Sequence, residues 1–202
     1  MNISNSIDLP GEDVCWLTIA ELTDGYRTGA LSPVTVAKAL IERIRALDPA
    51  VNCIVHVDEA YTLAMAEQSL ARWQAGRPLS AMDGVPVTIK DLSAVAGMPK
   101  RRGSLLFGTD PVAEDTPCVA RLREAGAVFL AKTATPEAGC KVVTQSQVHG
   151  VTRNPYDLTK TPGGSSGGAS AALALGFGPV ALGSDGAGSI RIPAAYTNLF
   201  GI

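Results

Sequence analysis

The sequence is short of histidine, of paired cysteine, of long apolar runs and of any charge excess. Each shortage removes a class of function. The two histidines, His56 and His149, both precede the glycine- and serine-rich stretch Thr161–Pro193. A hydrolase that needs Ser, then Asp or Glu, then His in chain order therefore has no base to use. The four cysteines, Cys15, Cys53, Cys118 and Cys140, form no C-x-x-C pair, which removes the usual zinc and dithiol redox motifs. They read as free thiols of a cytoplasmic protein. No apolar run reaches the ~18 residues that span a bilayer. The polar opening, Met1–Val14, reads as a loose leader without the basic start and apolar stretch of a secretory signal. Lys and Arg number 17 against 19 Asp and Glu, so no long-range field favours nucleic acid. The densest basic stretch, Lys100–Arg102, reads as a solvated loop.

What is present supports a packed fold. Hydrophobic residues make up 46% of the 202 positions, enough for one sizeable domain or two small ones. Residues 1–80 read as a mostly helical region. Thr18 and Glu21 fit a capping box for a helix ending near Gly25. Ser32-Pro33 opens a second helix, whose apolar residues include Val36, Leu40 and Ile44 and which Asp48-Pro49 is expected to end. Cys53–Val57 is a short strand candidate, and Glu59–Ala75 a third helix closing on Gly76.

Residues 81–202 change character. Val85–Ile89 is a β-rich run ending on Lys90-Asp91, and its Pro86 marks either an edge or the start of a strand. A helix from Asp115-Thr116-Pro117 to Gly126 leads into a second strand, Ala127–Ala131. A helix between two apolar strands is the signature of a parallel pair. A further helix over Gly167–Leu175, a strand over Val180–Gly183 and a helix over Ser189–Leu199 follow. The fold class expected is α/β, with a mixed central sheet flanked by helices.

Two glycine-rich turns carry the serines: Pro162–Gly168 and Gly183–Ser189. Neither matches the phosphate-binding G-x-x-x-x-G-K-[ST] pattern or, in register, G-x-G-x-x-G. Gly164–Gly168 satisfies G-x-S-x-G, but the histidine order rules against that fold. Lysine is then the remaining activator for serine. Lys90 stands at a strand end, where α/β sheets present their functional edge. A neutral amine near pH 7 needs its pKa lowered by ~3, a cost of about 4 kcal/mol. The competing structural reading pairs a charged Lys90 with Asp91 or Asp185.

Pro162–Gly168 and Gly183–Ala194, with Gly84–Asp91 upstream, resemble the amidase signature family in motif and in order. Gly126–Lys132 and Gly150–Pro155 are similar to the same family. The resemblance implies hydrolysis of a carboxylic amide through a Ser–cis-Ser–Lys triad and an acyl-enzyme. Ser189 is then the nucleophile, Ser165 the bridging residue at a cis peptide, and Lys90 the base. The backbone N–H groups of Gly186, Ala187, Gly188 and Ser189 form the oxyanion hole. Arg191 braces the turn through Asp185. The resemblance implies no cofactor and no metal. It implies a small-molecule amide as partner, no direct contact with nucleic acid or membrane, and leaves a homo-oligomer open.

Two departures stand out. Ala187 replaces a common glycine, and its methyl group is expected to resist a positive φ. The chain stops at Phe200-Gly201-Ile202, which looks like the middle of a domain, so residues 81–202 read as the N-terminal part of the family's α/β domain. Three alternatives stay open: the glutaminase-type component of a tRNA-dependent amidotransferase, an inactive truncated fragment, and a nucleotide-binding module.

Overall fold

The computed structural model describes residues 12–202, so most of the expected leader, Met1–Gly11, lies outside the described residues. A short 3-10 helix, Glu12–Trp16, precedes helix α1 (Ile19–Thr28). The capping box forms: the Glu21 N–H donates to Thr18 Oγ1 at 3.3 Å, and the Thr18 N–H donates to Glu21 Oε2 at 2.8 Å. The helix runs past Gly25 and ends at Gly29, which takes φ 77°. Gly25 serves packing instead, since a Cβ there would meet Leu31 Cδ1 at 2.6 Å. Helix α2 (Pro33–Val51) likewise passes through Asp48-Pro49, where an end is expected. Pro49 lies in the last turn and forfeits a single N–H bond. The Asp48 carboxylate then accepts from the N–H groups of Cys53 and Ile54, at 2.7 and 3.1 Å, and turns the chain into the sheet.

Strands β1 (Ile54–His56), β2 (Pro86–Lys90), β3 (Val128–Thr133) and β6 (Val180–Leu182) form one mixed sheet in the order β1-β3-β2-β6. Strand β1 is antiparallel to β3, and the other pairs are parallel. The expected α/β class with a mixed sheet is the one observed. Helix α3 (Glu59–Gln74) precedes β2, and α4 (Pro117–Glu124) makes the crossover from β2 to β3. Pro86 is the first residue of a central strand, the second of the two roles read for it. A two-stranded ribbon, β4 (Gln145–Ser146) with β5 (Gly150–Val151), sits apart, and a second 3-10 helix, Glu137–Gly139, with α5 (Gly167–Ala174) and α6 (Arg191–Tyr196), completes the described elements. The helical opening and the sheet share a core, in which Leu22, Leu40 and Ile41 cluster with Leu130, Ala171 and Phe177.

Side chains alternate across a sheet. Val87 and Ile89 pack with Phe129 and Val119 on one face. Thr88 and Lys90 therefore point to the other, where Leu130 and Ala171 lie. The β2–β3 pairing carries a bulge: Val87 pairs with Phe129, but Thr88 pairs with Ala131. The extra residue, Leu130, shifts the alternation of β3 by one. Lys132 consequently pairs with Ile89 and shares its face, opposite to Lys90.

Helix α5 consists of glycine and alanine with one serine and one leucine, and approaches the end of β3 closely. A Cβ on Gly168 would stand 2.4 Å from Ala134 N and 2.5 Å from Ala134 O. Gly168→Ala is expected to destabilise the fold by ~1–3 kcal/mol through forced displacement of α5. Urea unfolding checks this; an unchanged midpoint would mean that α5 does not sit at this distance.

Candidate active site

Strands β2, β3 and β6 are parallel, so their C-terminal ends share one edge of the sheet. Lys90 ends β2, Ser184 follows β6, and the first glycine turn delivers Ser165 and Ser166 to the same edge at the start of α5. The peptide bond between Gly164 and Ser165 is cis. Thr144 pins this turn from outside: its hydroxyl donates to Gly163 O at 2.8 Å and accepts from the Gly167 N–H at 3.1 Å. Gly164 is required here, because a Cβ would meet backbone atoms of residues 141–143 at 2.9 Å.

Lys90 is fully buried. Its Nζ stands 2.7 Å from Ser165 Oγ, 2.8 Å from Ser166 Oγ and 3.0 Å from Ser184 Oγ, with Ser184 O at 3.4 Å. Among the described residues no carboxylate forms an ion pair with it. Burial pushes its pKa down to about 8, with Asp185 pulling weakly the other way. The surroundings suit both protonation states. An ammonium has three N–H bonds to give and three hydroxyls to receive them. A neutral amine gives two and needs one donor for its lone pair. The Ser166 hydroxyl is within 3.3 Å of Ser184 O and accepts from the Ser184 N–H at 3.3 Å. With Ser166 directed at that carbonyl, Ser165 is the hydroxyl best placed to donate to Lys90.

The carboxylate adjacent in sequence is taken elsewhere. Asp91 Oδ1 accepts from Lys132 Nζ at 2.6 Å, and Asp91 Oδ2 accepts from the N–H groups of Arg101 and Arg102. The ion pair weighed for Lys90 is thus formed by Lys132, on the opposite face of the sheet.

The second turn is built on Asp185. Its carboxylate accepts a bidentate pair from the Arg191 guanidinium, both at 2.9 Å, and the N–H groups of Gly188, Ile190 and Arg191. The guanidinium first, and these N–H groups with it, hold Asp185 well below the ordinary carboxylate range. Arg191 braces the turn as expected. Gly188 does not fit the oxyanion role expected for it, because its N–H is spent on Asp185 Oδ1 at 2.6 Å. The N–H groups of Gly186, Ala187 and Ser189 have no acceptor among the described residues. Ala187 is absent from the residues with positive φ, so its methyl group meets no backbone conflict. Ser189 is half-buried, and its carbonyl accepts from the Ser166 N–H at 3.0 Å, joining the two turns. Its hydroxyl makes no hydrogen bond among the described residues, so the Lys90–Ser165 contact is formed and a Ser165–Ser189 contact is not.

The Amidase family profile matches residues 35–202. The chain belongs to the amidase family. It is 42% identical over 196 residues to an acylamidase of Rhodococcus erythropolis, covering 95% of this chain and 40% of that protein. It is 40% identical over 190 residues to a glutamyl-tRNA(Gln) amidotransferase component of Salinispora tropica, covering 94% and 39%. Its fold superposes on the native peptide amidase of Stenotrophomonas maltophilia with a TM-score of 0.86 at 32% identity, covering 93% of this chain and 39% of that one. The chain therefore spans about two-fifths of the length of these amidase-family proteins.

Of the three residues singled out in the sequence, Lys90 and Ser165 are brought together, and four residues around them and the neighbouring Asp91 were not singled out. Ser166 and Ser184 lie inside the quoted motifs, yet nothing in their spacing marks them as partners of Lys90. Lys132 closes a quoted stretch whose pattern does not reveal its contact with Asp91, and Thr144 lies outside every quoted stretch. Lys132→Met is expected to destabilise the protein by ~3–5 kcal/mol, because it strands a buried Asp91 carboxylate. The double variant Lys132→Met/Asp91→Leu should recover much of that loss in urea unfolding. Simple additivity of the two single changes would mean that the pair is not coupled.

Proposed function

We propose that the protein hydrolyses a carboxylic amide, with Ser189 as nucleophile, Ser165 as proton relay and Lys90 as base. The observation that carries this reading is the buried Lys90 amine, ringed by serine hydroxyls and without an ion-pair partner among the described residues. In its neutral form Lys90 takes the Ser165 proton, and Ser165 takes the proton of Ser189 as Ser189 Oγ attacks the amide carbonyl. The free N–H groups of Gly186, Ala187 and Ser189 receive the negative oxygen of the tetrahedral intermediate. Each such donor is worth ~3–4 kcal/mol of barrier. The proton returns from Lys90 through Ser165 to the leaving nitrogen, and ammonia or an amine departs. Water then attacks the Ser189 ester by the same relay in reverse, releasing the acid and restoring the hydroxyl. No cofactor or metal enters these steps.

A second reading is favoured by the glutamyl-tRNA(Gln) amidotransferase relatives, at 40% identity. There glutamine is the amide, and its ammonia is passed on to a partner. Ammonia release from glutamine measured beside release from aliphatic and aryl amides separates the two readings.

Ser189→Ala, Ser165→Ala and Lys90→Ala are each expected to lower kcat by ~10³-fold or more. An unchanged rate in Ser189→Ala ends the proposal; no release from any amide by the 202-residue chain supports the inactive-fragment reading. The pH profile gives an independent check. The neutral amine is the active form, so kcat/KM rises with pH, about tenfold per unit below its pKa, and levels off above about 8. A profile flat between pH 6 and about 9 removes Lys90 as the base.

A further inference from the structure

A separate cavity, of about 410 Å³, is lined by Val55 and Pro99 together with His56, Asp91, Arg101, Thr109 and His149. Asp91 and Lys132 belong to the face of the sheet opposite Lys90, so this cavity is separate from the serine cluster. Two of its lining groups are buried and unmatched: Arg101 Nε and His149 Nε2 have no hydrogen-bond partner among the described residues. Native proteins rarely leave such atoms unpaired. Arg101 also forms no ion pair among the described residues, although its guanidinium is only partly exposed. This corrects the reading of Lys100–Arg102 as a solvated loop: the N–H groups of Arg101 and Arg102 hold Asp91, and the Arg101 side chain lines a cavity.

The charge balance points to an anion. Asp91 is the carboxylate in the wall, and both of its oxygens are already engaged, by Lys132 Nζ and by two backbone N–H groups. The Arg101 guanidinium is left over as uncompensated positive charge beside an imidazole that can donate from Nε2. Planar guanidinium groups favour carboxylate and phosphate oxygens. We propose that this cavity binds a small oxyanion, a carboxylate or phosphate group accepting from Arg101 Nε and His149 Nε2.

The test follows the two imidazole rings of the 202-residue chain by NMR, with His56→Gln assigning them. Succinate, inorganic phosphate and chloride are titrated at constant ionic strength. A saturable shift of the His149 ring is expected with succinate, phosphate or both, and not with chloride. Succinate alone would mark an organic carboxylate as the ligand, phosphate alone an inorganic or esterified one. Arg101→Gln should weaken the binding at least tenfold while leaving the unfolding midpoint near that of the parent, because Asp91 is held by the backbone N–H of residue 101. His149→Gln, followed by calorimetry, should show the same loss and serves if Arg101→Gln fails to fold. No saturable shift with either oxyanion, an equal response to chloride, or parental affinity in a folded Arg101→Gln or His149→Gln protein overturns the proposal.

Discussion

The arrangement of this protein depends on one constraint: the Lys90 amine has to lie in the interior without a carboxylate at its side. A buried lysine paired with an aspartate is held charged, whereas one surrounded by hydroxyls is satisfied charged or neutral. The sheet places Lys90 at the end of its central parallel strand. The two glycine turns then bring three serine hydroxyls to within 3.0 Å of Nζ. Glycine is required where the first turn is threaded past the backbone of residues 141–143. Bulkier residues would push Ser165 and Ser166 away from the strand end.

Two aspartates lie close enough to have defeated this arrangement, and each is occupied. Asp91 is bound by Lys132 and the backbone of residues 101 and 102. Asp185 is bound by Arg191 and three backbone N–H groups, so it organises the second turn and remains only a distant influence on Lys90. Supporting charges of this kind act by keeping carboxylates away from the amine, a role that a list of residues touching Lys90 would omit. The same bonds decide which N–H groups remain free at the second turn: Asp185 consumes that of Gly188 and leaves Gly186, Ala187 and Ser189 open.

Much of the fold was legible because it is written locally. The Thr18–Glu21 box, the strand ending on Lys90, and the helix and strand around Gly126 follow from neighbours a few residues apart. The misread positions share a different cause. Gly25 looked like a stop but makes room for Leu31, and Pro49 looked like a stop but falls where one missing N–H is tolerated. At the site, the family's motifs pointed to Lys90, Ser165 and Ser189, while Lys132, Thr144 and the engagement of Gly188 depend on contacts between distant segments. The basic run Lys100–Arg102 was misjudged for that reason too. Composition sees three charges in a loop, and only packing shows Arg101 turned inward.

The bulge at Leu130 gives β3 an unusual kind of fragility. Side-chain direction in a strand is a matter of odd and even count, and here the count keeps two lysines on adjacent strands out of each other's reach. Most single-residue exchanges along Val128–Thr133 would leave that parity intact. Loss of the bulge with every residue kept would reverse it: regular pairing on from Val87–Phe129 would set Lys132 beside Lys90 and abandon Asp91 on the far side. Evolutionary drift in this strand is therefore constrained in its register as well as in its hydrophobic packing: what has to persist is Lys132 opposite Ile89, whichever residue occupies the bulge.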